Sequence, residues 1–135
     1  MFTHANAVMI TGKCPERFPM ALVAVDCFLA QNYGNRRLIV INHGGRSLLP
    51  FCPDTSLIEE HMVARRPLGE MRNMGIDRAD RGSLILTWDD DDWMNESYMT
   101  AMCGHYDGDD TVTLLHSEIK HDLQFNSSFI SRMRN

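Results

Sequence analysis

Four consecutive aspartates, Asp89, Asp90, Asp91 and Asp92, follow directly on Leu84–Trp88, a run without a charge. An apolar, β-branched and aromatic run of that length reads as a buried strand. The acid cluster then sits where the strand leaves its sheet, which in open α/β sheets is where ligands bind. If the chain stays extended, Asp89 and Asp91 share one face and Asp90 and Asp92 the other. Two carboxylates about 5 Å apart at an effective dielectric near 20 repel by roughly 3 kcal/mol, so a partly buried set needs protonation, basic partners or a cation. A divalent cation is the simplest answer. The alternative is a solvated acidic turn leading into a helix N-terminus, where the dipole favours Asp and Glu. A third is a calcium-binding structural loop, against which the lack of EF-hand spacing counts.

The chain's 135 residues suit a single domain with a substantial core, and 44% hydrophobic with 23% charged residues is an ordinary globular composition. A formal net charge of −5 gives no electrostatic footprint for a nucleic-acid backbone. No apolar stretch approaches the roughly 20 residues a transmembrane helix needs, and the N-terminus lacks the pattern of an export signal, so a cytoplasmic protein is expected. Cys14, Cys27, Cys52 and Cys103 contain no C-x-x-C pair and read as reduced thiols.

The elements that must hold the acid loop are legible in order. Ala7–Thr11 reads as a strand, Gly12–Pro15 as a loop, Phe18–Ala30 as a helix on Leu22, Val25, Phe28 and Leu29, and Leu38–Ile41 as a second strand. Strand, helix, strand with short connections is a βαβ unit with parallel strands and a right-handed crossover. Asn42–Ser47 is a polar, glycine-containing loop at a strand's carboxyl end, a candidate ligand loop or simply a turn. Ile58–Ala64 fits a short helix better than an edge strand. Leu68–Arg81 is helical with Leu68, Met71, Ile76 and Ala79 inward and Gly82 as its stop. Asn95, as N-cap, starts a helix to His105, and Thr111–Leu115 is a further strand.

Three segments in this order resemble the nucleotide-binding half of family 2 glycosyltransferases, the GT-A fold. The first helix ends at Gln31-Asn32-Tyr33, Gly69 with Arg72, Asn73 and Gly75 matches a G-x-x-x-A-R-N-x-G motif with Met71 in place of the small residue, and Asp89, Asp91 and Asp92 match L-D-x-D-D. The resemblance implies an α/β, Rossmann-like sandwich with a mostly parallel central sheet. It also implies a single minimal domain over 1–135, with a nucleotide-sugar-binding core at 7–116 and an extension at 117–135. The implied activity is metal-dependent, inverting sugar transfer from a nucleotide-diphosphate donor of UDP or GDP type. Manganese or magnesium would sit at Asp91 with Asp89, and oxygen ligands suit such hard cations. Asp91 and Asp92 would be catalytic. Thr11, Asn42, Arg72, Asn73, Asp89 and Asp90 would line the donor site, with Arg72 beside the diphosphate.

The second strand ends in Asn42-His43 where the family usually has an acidic pair, which puts uracil selectivity in doubt. Late in the chain, Glu118 and Asp122 are the carboxylates available as acceptor base. His116 is either a further metal ligand or, with His121, an ordinary surface residue. A noncatalytic nucleotide-binding module, or one subunit of a split transferase, is the alternative function. Self-association is plausible, and the acceptor is unknown.

Overall fold

A computed structural model of the chain describes residues 4–106, 117–122 and 127–132. Two compact units divide it, Met1–Cys103 and Gly104–Asn135. In the first, β1 (Ala5–Thr11), β2 (Arg36–Asn42), β3 (Ile58–Met62) and β4 (Leu84–Thr87) form one sheet in the order β3-β2-β1-β4. Every pairing is parallel: Ala7 lies opposite Leu38 and Leu86, and Leu38 opposite Ile58. In the second unit β5 (Ser117–Asp122) and β6 (Ser127–Arg132) form an antiparallel hairpin. Glu118, His121 and Asp122 fall on β5, whereas His116 and the strand expected at Thr111–Leu115 lie outside the described residues.

The central strands β1 and β2 carry long apolar runs because helices cover both faces of the sheet. Ala5, Ala7 and Met9 of β1, Leu38 and Val40 of β2 and Leu86 of β4 form one core with α1 (Phe18–Leu29) and with Met99 of α3 (Tyr98–Gly104). Alanines meet there from both sides, since Ala21 and Ala24 are the fully buried small residues of α1, and this lets helix and sheet approach closely. Arg36, at the start of β2, closes the C-terminal end of α1 by donating to the carbonyls of Phe28 (3.2 Å), Leu29 (2.8 Å) and Tyr33 (2.9 Å). A cation on these orphan carbonyls is what a helix C-terminus requires.

Val8, Ile39 and Ile41 point to the opposite face, where they pack with Met71 of α2 (Leu68–Arg78). The inward stripe of α2 is Met71 and Gly75, while Leu68 and Ile76 are 49% and 47% exposed, so the expected face is rotated. Gly75 is the reason: a Cβ there would lie 2.3 Å from Val8 Cγ1, so the helix rests on the sheet through a residue that hydrophobic periodicity does not count. This parallel, two-faced α/β arrangement is Rossmann-like.

Three expectations about local structure are corrected. Ile58–Met62 is an edge strand and not a helix. Its acidic side chains find partners that only the tertiary fold supplies, Glu60 accepting from the backbone N–H of Leu48 (2.9 Å) and Glu59 lying 3.4 Å from His61. The second helix stops at Arg78, with Ala79 already extended, and Gly82 (φ +78°) serves the Asp80–Ser83 turn into β4 instead. Asn95 does not begin α3. Its side chain accepts from Ser97 N–H (2.9 Å) in an Asx turn, and the helix starts at Tyr98.

Candidate functional site

Because the four strands are parallel, Thr11, Asn42 and Thr87 end on the same edge of the sheet. The chain proceeds from β1 to β2 and β3 on one side and then returns to place β4 on the other side of β1, so the order reverses between β1 and β4. A crevice opens at such a switch point, and ligands of α/β sheets bind there. The acid loop leaves β4 at that point.

Trp88 fixes its departure. The Trp88 backbone N–H extends the ladder to the Val8 carbonyl (3.0 Å), its indole N–H donates to the Ala24 carbonyl (2.9 Å), and its ring meets Phe28 and Tyr98 edge-on at 5.9 and 5.7 Å. With Trp88 held inward, the alternation of the strand sends Asp89 to solvent and Asp90 inward. Asp90 is 5% exposed, and its Oδ2 accepts from Thr11 Oγ1 at 2.9 Å. Arg17 bridges two neighbouring carboxylates, Nη1 lying 3.3 Å from Asp90 Oδ1 and Nη2 3.2 Å from Asp91 Oδ2. Burial pushes the Asp90 carboxyl above the usual range; the Thr11 hydrogen bond and the Arg17 charge pull it back, and Asp91 and Asp89 push it up again. Burial also raises the Tyr98 phenol, with Asp89 and Asp92 adding to the effect.

The second strand's loop is built from its own side chains. Asn42 is buried, and its amide donates to the Arg46 carbonyl (2.8 Å) and Glu60 Oε2 (3.2 Å) while its oxygen accepts from Gly44 N–H (2.9 Å). Asn42 therefore shapes the loop. The carboxylate missing from position 42 is supplied nearby by Glu60, which also accepts from the Ser47 hydroxyl. The loops after β1 and β2 touch through glycines: Gly12 has φ +113°, and a Cβ on it would lie 2.2 Å from Gly44 N. His43 N–H donates to the Thr11 carbonyl across the same seam (3.0 Å).

Of the residues put forward from sequence, Thr11, Asp90 and Asp91 are thus brought into one network. Asp89 and Asp92 are exposed on the same loop. Arg72 and Asn73 are exposed on α2, which covers the other face of the sheet, and no hydrogen bond or ion pair joins either to the acid loop. His116 lies outside the described residues.

The sequence reading missed Arg17, the cation that does reach the loop. The signal for it was the unanswered question of what neutralises four adjacent acids. The Gln31-Asn32-Tyr33 segment also gains a physical role, since buried Gln31 donates to the Cys27 (3.1 Å) and Asn95 (2.6 Å) carbonyls and accepts from Met99 N–H (2.9 Å). It ties the far end of the acid segment to α1.

Among the described residues no three Asp, Glu, His or Cys side chains converge in a way that would by itself hold a metal. An ion here would take its carboxylates from the acid loop, Asp91 with Asp90 or Asp89. That oxygen-only set fits magnesium or manganese arriving with phosphate ligands, the usual way such ions bind, and does not fit a self-contained cage. A mostly apolar cavity of about 400 Å³ lies elsewhere, between α1 at Val23–Ala30 and Trp93–Glu96; Thr11, Arg17 and Asp90 do not line it. No helix among the described residues is long and apolar enough to cross a membrane.

No protein-family model and no curated protein matches the chain. Among solved structures it is similar to residues 1–349 of TarS from S. aureus, with TM-score 0.60 and 13% identity over 75% of this chain and 31% of that one. A second S. aureus TarS structure gives TM-score 0.57 and 14% identity over 75% of this chain and 19% of that one. TarS is a staphylococcal glycosyltransferase. The chain thus spans under a third of the length of these structures, and the likeness is one of fold.

Proposed function

We propose that this chain is the donor-binding part of a GT-A, family 2-like glycosyltransferase that moves a sugar from a nucleotide diphosphate to an acceptor hydroxyl with inversion. The observation that carries the reading is the buried Asp90 carboxylate, held by Thr11 and Arg17 at the switch point between β1 and β4. An acid kept there against its desolvation cost, in a fold similar to that of a glycosyltransferase, is placed for a ligand that brings its own positive charge.

Manganese or magnesium would be held by Asp91 with Asp90 or Asp89, and when bound it supplies charge neutralisation to the departing nucleoside diphosphate. Thr11 orients the Asp90 carboxylate through its hydroxyl and so sets the angle at which the acid loop meets the donor. The Gly12–Gly44 seam, where a side chain has no room, forms the floor on which the nucleoside rests. Asp92, exposed beyond the pair that Arg17 bridges, would face the transferred sugar and its acceptor.

Calorimetric titration of UDP, GDP and their sugars, with and without manganese, tests this. Binding should require the ion and should fall at least tenfold in Asp91→Asn, the loss of one charge-assisted ligand. Failure of every nucleotide to bind removes the reading.

A second reading is a nucleotide-binding module, or one subunit of a split transferase, without turnover of its own. Donor binding without transfer or hydrolysis of the sugar would select it.

A further inference from the structure

Among the described residues Arg17 is a cation that reaches the acid loop, and its placement says more than that it balances charge. It ends the single 3-10 turn Pro15–Arg17, whose geometry is fixed by Pro15 and by the Arg17 N–H to Cys14 carbonyl bond of 3.1 Å. Pro19 follows in the first turn of α1. The backbone is therefore rigid while the side chain, about a third exposed, is free to swing. The two carboxylates that it bridges are not equally dependent on it. Asp90 keeps the Thr11 hydroxyl at 2.9 Å when Arg17 leaves, whereas Asp91 is joined here through Arg17.

Arg17 occupies Asp90 Oδ1 and Asp91 Oδ2, one oxygen of each carboxylate that an ion held by this pair would use. A guanidinium and a metal ion on the same pair of oxygens would repel one another at close range, so occupation by one disfavours the other. A displaced guanidinium on a rigid turn stays beside the site. Its planar fork matches phosphate oxygens better than any other side chain does.

Building on the function proposed above, we propose that Arg17 is a positioning residue with two stations: it holds Asp90 and Asp91 apart from the ion in the free protein, and it turns to the donor diphosphate once the ion has arrived. Donor and ion then bind cooperatively, because the diphosphate gives the displaced arginine a new partner.

The test compares the full-length protein with Arg17→Gln and Arg17→Lys, using manganese alone and then UDP and GDP at saturating manganese. Free manganese is read by its electron paramagnetic resonance signal. Manganese alone should bind Arg17→Gln about fivefold more tightly than wild type, the equivalent of losing one partly exposed ion pair. The diphosphates should bind the same variant about tenfold more weakly, with Arg17→Lys recovering part of that loss. Opposite signs are the signature, since an arginine that only props the loop would weaken both ligands when removed. Weakening of both, or manganese binding unchanged while UDP or GDP still binds wild type, overturns the role of Arg17 and leaves the proposed function standing. A wild-type protein that binds neither manganese nor any diphosphate overturns both.

Discussion

The seam between the loops after β1 and β2 makes a sharp demand on Gly12. Replacing it by alanine adds a Cβ at 2.2 Å from Gly44 N, 2.7 Å from Gly44 Cα and 2.8 Å from the His43 carbonyl carbon, all backbone atoms that no rotamer change can move. The φ of +113° adds strain of its own. A side chain at positive φ costs roughly 1–2 kcal/mol and forced overpacking roughly 1–3 kcal/mol more. Gly12→Ala should therefore cost about 2–5 kcal/mol. Gly45→Ala separates the two effects, since Gly45 has φ +77° with nothing within 4 Å of the added Cβ, and should cost about 1–2 kcal/mol. At roughly 3–4 °C per kcal/mol for a chain of this size, Tm should drop by about 6–20 °C in Gly12→Ala and about 3–8 °C in Gly45→Ala. Thermal unfolding followed by circular dichroism at matched concentration checks this. Equal Tm values for the two variants would mean that the loops are not in contact and that the floor of the site is wrongly drawn.

Three other outcomes are expected. Asp90→Asn should be more stable than wild type by a margin that grows with pH: the folded carboxyl titrates above its unfolded value of 3.8, so the native state binds more protons and wild-type stability falls as pH rises through the folded value. Urea midpoints from pH 4 to 7 measure it, and a pH-independent difference would be inconsistent with a buried, raised acid. Gln31→Ala leaves the Met99 N–H without its partner and should cost about 2–3 kcal/mol, with faster hydrogen exchange at that amide; unchanged protection there would contradict the bridge to α3. Asn42→Asp turns a 3.2 Å hydrogen bond with Glu60 into a contact between like charges, and should destabilise by about 2–4 kcal/mol at neutral pH and less in acid, read from urea curves at both.

The strands that cross the middle of the sheet were legible because helices cover both sides of them, which leaves long apolar runs in the sequence. Trp88 as the last buried position before the acids was readable for the same reason. What could not be read is whatever depends on a partner distant in the chain. Glu59, Glu60 and His61 look helical or solvent-facing in isolation and become an edge strand because Leu48, Ser47 and Asn42 supply donors to Glu60. Gly75 carries no hydrophobic signal, yet it fixes how α2 rotates. At the candidate site the sequence pointed to the acid loop, which the fold places where β4 leaves the sheet beside β1. Which acid is buried follows from where the pleat runs out after Trp88, and the arginine that meets the loop comes from a turn some seventy residues earlier. Position 42 was assigned to the donor site through the resemblance, and the bonds its amide makes to the loop around it were not legible from that.

Both ends of the acid segment are fastened to α1, through Trp88 at Ala24 and through Asn95 at Gln31. The segment between them is an arch with both footings on one beam. Between the footings it is pinned a third time, at Asp90 by Thr11 of β1 and by Arg17. Shortening or lengthening the arch by one residue would pull Asp90 and Asp91 out of step with Thr11 and Arg17, so its length is set by what lies under the crown as well as by the footings.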